Sequence, residues 1–280
     1  MRTALAVLLG LFVCVLPLRA EEEAEEPQAH TDEQLEEHQV LETFEEEYAS
    51  EDMDERLRAL RRLGQWRHKK VFKQLKRIWE REDDLELMAA AAEGLGNQTP
   101  FAREAGRSLV KYLEKREDFA SIEDPTEEEE LDQKLEAKVL IAGIRAVGDL
   151  GYKDGWKQMK AFIEHHHDFV AGEMMLTCGK LKEYRALKIL LEWFNFYPDG
   201  YSWAGGSVRV DTGAAGNADA NAARAKWKAR YGGRARKARP NAWEMLIQSL
   251  EMITGVKFEK PEELEAWMEE NKALLRRHGA

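Results

Sequence analysis

The chain is predicted to be all-α, assembled from repeated helix pairs, on three observations. Apolar residues recur every three or four positions through most of the 280 residues, strand-like alternation is nearly absent, and a Leu-Gly signal closes successive helices at related intervals. With 7 Pro and 20 Gly the composition is neither collagenous nor broadly disordered, and the length suits one large domain or a repeat array.

Residues 1–20 stand outside the fold. Arg2 gives a short positive start, Ala4 to Leu16 is apolar yet too short to span a bilayer, and Ala20 offers a small residue at a cleavage point. This is the pattern of a secretory signal peptide. Val13 precedes Cys14 where a bacterial lipoprotein signal would carry Gly, Ala or Ser, so no lipid anchor is expected. The mature chain is therefore expected in the periplasm or outside the cell, with no membrane span. It keeps one cysteine, Cys178, inside an apolar run, which excludes an intrachain disulfide and reads as a small buried hydrophobe.

Charge comes in blocks. The formal total of −11 conceals seventeen acids and no Lys or Arg in residues 21–55, then eleven bases against the single acid Glu80 in 56–81. Eight acids follow in 117–130, and nine bases against two acids in 200–240. Loss of Arg2 and Arg19 with the signal leaves −13, of which 21–55 contributes −17 and the remainder +4. A uniformly basic nucleic-acid binder is excluded, but a local polyanion site is not. The acidic segment 21–50 is expected to be partly helical, with Leu41, Phe44 and Tyr48 laid on the repeats behind a capping residue Thr31. Opposite block charges make 56–81 and 224–239 its candidate partners.

The repeats occupy 51–199. Leu57, Leu60 and Leu63 are followed by Phe72, Leu75, Ile78 and Trp79, then by Leu85, Met88, Ala91, Ala92 and Leu95. Leu63-Gly64, Leu95-Gly96, Leu150-Gly151 and Leu181-Lys182 lie 32, 55 and 31 residues apart. The long interval contains an acidic insertion at 117–130 and a helix expected from about 127 to 149, with Thr126 and Glu129 at capping-box spacing. Trp156, Met159, Phe162 and Ile163 reappear 31 residues later as Leu187, Leu190, Trp193 and Phe194. Each unit reads as helix, tight turn, helix, and such a unit buries its apolar faces only by stacking on neighbours. Residues 241–280 read as capping helices: one through Trp243, Leu246, Ile247, Leu250 and Ile253 to Thr254-Gly255, and a last one from Pro261 through Trp267 to Leu275.

Leu60-Arg61-Arg62-Leu63-Gly64, Ala92-Glu93-Gly94-Leu95-Gly96 and Ile144-Arg145-Ala146-Val147-Gly148-Asp149-Leu150-Gly151 resemble the HEAT-repeat and armadillo-like family over residues 51–195. The order of the terminal helices is similar to that of exported bacterial HEAT-like proteins. The resemblance implies a short right-handed α-solenoid of about five HEAT-like helix pairs, with a Gly/Ala-rich basic insertion at 200–240 before the terminal helices.

That insertion supplies the candidate partner-binding residues Trp203, Arg224, Trp227, Arg230, Tyr231, Arg234 and Arg236, because cations beside aromatics grip phosphate, sulfate or carboxylate polymers. The plainer reading is a solvated loop docked on the acidic segment. Asp211-Thr212-Gly213-Ala214 matches the aspartic-protease signature but has no second copy and no β-rich surroundings, so it reads as a turn. Asn217, Asp219 and Asn221 have calcium-loop spacing, but Ala222 and Lys228 stand where Gly and Glu are needed. In His165-His166-His167-Asp168 only His165 and Asp168 share a helix face, which reads as a polar helix end. The basic helix 67–81 is amphipathic enough for a membrane surface, yet its register assigns the apolar side to the repeat core. No residues form a catalytic constellation. The expected function is a non-catalytic exported scaffold or adaptor for a protein partner, without cofactor or metal; the alternative is an anionic-polymer binder working through 200–240.

Overall fold

A computed structural model describes residues 37–116, 126–165, 167–196, 201–204, 207–210 and 240–279. It is all-helical apart from one short hairpin. The helices are α1 (Glu37–Tyr48), α2 (Met53–Leu63), α3 (Lys69–Arg81), α4 (Leu85–Gly96), α5 (Ala102–Glu114), α6 (Glu127–Asp149), α7 (Trp156–Met159), α8 (Asp168–Lys180), α9 (Leu187–Phe196), α10 (Pro240–Thr254), α11 (Pro261–Glu270) and α12 (Lys272–Arg277). The hairpin pairs β1 (Tyr201–Ala204) antiparallel with β2 (Ser207–Val210), Tyr201 opposite Val210.

Local chemistry starts these helices. Asp52 caps α2 by accepting from the Asp54 N–H at 2.9 Å, and Asp84 caps α4 through the Glu86 and Leu87 N–H groups. The expected capping box at Thr126 is present: its hydroxyl accepts from the Glu129 N–H, and the Glu129 carboxylate accepts from the Thr126 N–H at 2.8 Å. At 23 residues α6 is about 34 Å long against about 18 Å for α4. The extra length of that repeat is thus partly a longer helix.

The helix ends divide into two kinds. At Gly151 (φ 66) and Lys182 (φ 49) the chain turns left-handed and closes a Schellman pattern. The Tyr152 and Gly151 N–H groups donate to Val147 and Gly148, and those of Glu183 and Lys182 donate to Cys178 and Gly179. The first two Leu-Gly signals differ from expectation. Gly64 (φ −61) is right-handed, and Gly96 lies inside α4, which is capped by Asn97.

Two rows of helices follow from the packing. α2, α4, α6, α8 and α10 contact one another in succession, and α3 packs on α5, α5 on α7, and α9 on α11, with α3 and α5 also wedged against α4 and α6. Within one unit from Glu37 onward, the repeat positions are the buried ones: Leu63, Leu95, Leu150 and Leu181 in one row, Leu75, Phe162 and Trp193 in the other. α1 covers α2 with Phe44, and the basic helix α3 buries Val71, Phe72, Leu75, Ile78 and Trp79 as expected.

Small residues set the spacing of the first row. A Cβ on Gly64 would lie 2.8 Å from the Gly94 Cα, one on Gly96 3.1 Å from the Ala146 Cα, and one on Gly179 3.0 Å from the Ser249 Cα. These glycines let neighbouring backbones touch. Polar contacts bridge the same junctions: Asn97 Nδ2 donates to the Gly64 carbonyl at 3.3 Å, Gln98 Nε2 to that of Trp66 at 2.8 Å, and Thr177 Oγ1 to that of Ile144 at 3.1 Å.

Two expectations need correction. The second helix of the third pair is only α7 followed by a 3₁₀ turn at Lys160–Glu164, whose tighter winding stacks Met159 and Phe162, three apart, into the core. The last helix is broken at Asn271 (φ −101, ψ 19), whose side-chain amide donates to the Trp267 carbonyl at 2.8 Å. α11 and α12 are therefore separate. Among the described residues no helix is long and apolar enough to cross a membrane.

Candidate interaction surface

A groove of about 210 Å³ opens where α4, α6 and α8 meet. It is lined by Lys134, Ala137, Lys138, Ile141, Ala142 and Arg145 of α6, by Glu93 of α4 and by His167 at the start of α8. Leu131, Lys134, Lys138, Ile141 and Arg145 fall at i, i+3, i+7, i+10 and i+14, so the long helix presents them along a single stripe. Leu131 at one end is 56% exposed, and Phe169 is 46% exposed, with its ring centroid 6.0 Å from that of His167.

The charges of this face are tied from helix to helix. Lys138 donates to Glu86 at 2.8 Å, Arg145 to Glu173 at 2.7 Å, and Lys180 to Asp149 at 2.6 Å. Glu173 is buried, yet its second carboxylate oxygen, Oε1, has no hydrogen-bond partner. The hydrogen bond to Glu173 holds the Arg145 guanidinium above its ordinary pKa, and Glu93 and Asp149 add to the effect. Arg145 is thereby fixed beside the groove, Lys138 is held by Glu86 and Lys134 by Glu130, which leaves the apolar Leu131 and Ile141 as the members of the stripe outside any ion pair.

A larger depression of about 440 Å³ lies between α1 and α2, lined by Glu47, Glu55, Arg58, Arg61, Arg62 and Gln65. It has no apolar floor, and Arg62 is already paired with Glu47. That pair joins the described part of the acidic segment to the basic block as the opposite charges anticipated.

Of the residues expected to bind a partner, Trp203 lies in β1, its backbone paired with Val208 of β2. Arg224, Trp227, Arg230, Tyr231, Arg234 and Arg236 lie outside the described residues, as do Thr31, Asp211 to Ala214, and Asn217 to Asn221. His165 is a buried helix end: its Nδ1 accepts the His167 N–H at 3.1 Å, and its ring stacks on Phe162. Cys178 is fully buried, and burial pushes its thiol well above the ordinary range. Among the described residues no group of three or more His, Cys, Asp or Glu could hold a metal ion.

Sequence reasoning missed the α6 stripe, Phe169 and Glu173. One signal was available for Glu173, the only charge between Asp168 and Lys180 in an otherwise apolar helix. No known family model, curated protein or solved structure matches the chain.

Proposed function

We propose that the chain is a short α-solenoid of five HEAT-like helix pairs that serves, after export and removal of a signal ending near Ala20, as a non-catalytic scaffold holding a protein partner in the α4–α6–α8 groove. The pairs are α2/α3, α4/α5, α6/α7, α8/α9 and α10/α11, each contributing one helix to each row. Stacked pairs of this kind expose continuous surfaces suited to partner binding. The single observation that carries the reading is the groove itself, in which the partly exposed Ile141 sits between cations, with Leu131 and Phe169 exposed nearby. Exposed large apolar residues are otherwise scarce among the described residues, where Val256 is the remaining example. A partner segment with an apolar anchor beside acidic residues complements this lining.

The test compares capture of envelope proteins by the mature chain with capture by Ile141→Asp and Phe169→Asp variants of unchanged thermal stability. Loss of the same polypeptides from both variants supports the groove; identical capture refutes it. Binding of an anionic polymer through Trp203 and Arg224 to Arg236 is the second reading, favoured by the nine bases of 200–240. Steep weakening of binding with salt, abolished by deleting 201–239, would single it out.

A further inference from the structure

The second row of helices carries a pattern that the groove does not use. Lys69, Lys73, Arg77 and Arg81 on α3 are spaced four residues apart, and Arg103, Arg107, Lys111 and Lys115 repeat them on and just beyond α5, each 34 residues later. All eight are exposed. Within a row, cations four residues apart rise about 6 Å per step, and the two rows lie on helices packed against each other. The first three of each row lie directly opposite the buried faces, Val71, Leu75 and Ile78 on α3 and Ala105, Leu109 and Leu113 on α5.

These cations lack carboxylate partners among the described residues. On the other row Arg62, Lys138, Arg145 and Lys180 are each paired with a carboxylate, and among its described cations Arg58 and Arg61 of α2 are not. Among the described residues none of the eight on α3 and α5 makes a salt bridge. Like charges four apart on a helix repel, so the arrangement destabilises both helices until an anion covers them. The acids nearby do little to relieve it: Glu80 accepts from Ser108 Oγ at 2.8 Å and pairs with Lys76, leaving the exposed Glu104 and Glu114.

We infer that the α3–α5 face binds a linear phosphodiester polymer through its backbone alone. Two rows of evenly spaced charges match a chain carrying one anion per repeat unit, and Arg77, Arg81, Arg103 and Arg107 offer the planar fork that binds phosphate oxygens in pairs. A membrane surface is disfavoured because an interfacial helix inserts apolar side chains, and the exposed large apolar residues, Leu131, Phe169 and Val256, lie on neither helix. The same lack of exposed aromatic rings removes the platform on which bases stack, so recognition is of the backbone. This surface is independent of the α4–α6–α8 groove.

The experiment uses the mature chain and three probes: a thirty-nucleotide oligothymidylate, an abasic oligomer with the same backbone, and vesicles containing phosphatidylserine. The expected result is binding of both oligomers within about threefold of each other, with a log–log salt slope of about −3 to −6 for four to eight phosphates neutralised. Joint substitution Lys73→Gln, Arg77→Gln, Arg107→Gln and Lys111→Gln lowers the slope by about 3 and the affinity at least a hundredfold, with circular dichroism unchanged and Tm no lower than that of the wild type. The inference fails if the quadruple variant binds as the wild type does. It also fails if neutralising Arg224, Arg230, Arg234 and Arg236 abolishes binding instead, if the base-bearing oligomer binds more than tenfold tighter than the abasic one, or if vesicles bind and oligomers do not. Capture of a protein partner through the groove is unaffected by the quadruple variant, so the two surfaces fail separately.

Discussion

Replacing Gly64 with Ala sets two opposed effects against each other, and the structure decides the sign. Gly64 is in right-handed backbone at the end of α2, so Ala there gains about 1 kcal/mol from reduced unfolded-state freedom. The added methyl, however, would lie 2.8 Å from the Cα of Gly94, and backbone cannot swing aside as a side chain can. α2 and α4 must part by about half an ångström or more, which forfeits a quarter or more of the dispersion energy at each contact in the seam where Leu60, Leu63, Leu87 and Leu95 are buried. Overpacking of this kind costs about 1–3 kcal/mol, leaving a net loss of up to about 2 kcal/mol. At about 2–4 °C per kcal/mol for a chain of this size, Tm falls by up to about 8 °C. Differential scanning calorimetry at a fixed scan rate reads the shift directly. A Tm above that of the wild type would refute the close approach of the two helices and, with it, the role assigned to glycine in the repeats.

Other consequences follow from named positions. Gly151 has a positive φ with nothing within 4 Å of an added Cβ, so Gly151→Ala is destabilising by about 1 kcal/mol through backbone strain alone, whereas Lys182→Gly, at the matching exposed position, stabilises by about 0.5–1 kcal/mol; thermal melts compare them. Burial makes the Cys178 thiol titrate above its ordinary value of about 9.0, so at high pH the folded chain keeps its proton while the unfolded chain loses it. Its contribution to stability is complete below pH 9 and declines as pH rises past that value, and reaction with a thiol reagent at pH 8 follows the rate of unfolding, not the concentration of reagent. The Glu129 carboxyl is held below its ordinary value of about 4.5 chiefly by the hydrogen bond it accepts from the Thr126 backbone, so the first turn of α6 is fixed above that pH and frays as pH falls through the lowered value. Amide exchange of residues 127–130 should accelerate at pH 3, and Thr126→Ala should produce the same acceleration at pH 7.

Periodicity along the chain announces which side of a helix is apolar, and that was enough to place Leu63, Leu95, Leu150 and Leu181 in the core and to start α6 at Thr126. It does not announce which neighbour a side will meet. Gly94 reads as a weak point in a helix until Gly64 is seen against it. The break at Asn271 is silent for the same reason, since Trp267 and Leu275 keep helical spacing across it while the amide quietly satisfies a carbonyl. The surfaces were harder still. A stripe of Leu131, Lys134, Lys138, Ile141 and Arg145 is ordinary helix exterior by pattern, and it becomes a groove only when α4 and α8 supply walls. Likewise the 34-residue echo between α3 and α5 is written in the sequence, but only packing reveals that its cations lack the carboxylates found by Lys138, Arg145 and Lys180 on the other row.

Recognition by opposite faces of the stacked helices is the central claim, and site-specific photocrosslinking tests it most directly. A benzophenone side chain placed at Lys138 in the groove, and separately at Glu104 between the cation rows, is irradiated with the mature chain in envelope extract. The account predicts a discrete protein adduct from position 138, removed by Phe169→Asp, and none of that adduct from position 104. The same adduct from both positions, or from 104 alone, would contradict it.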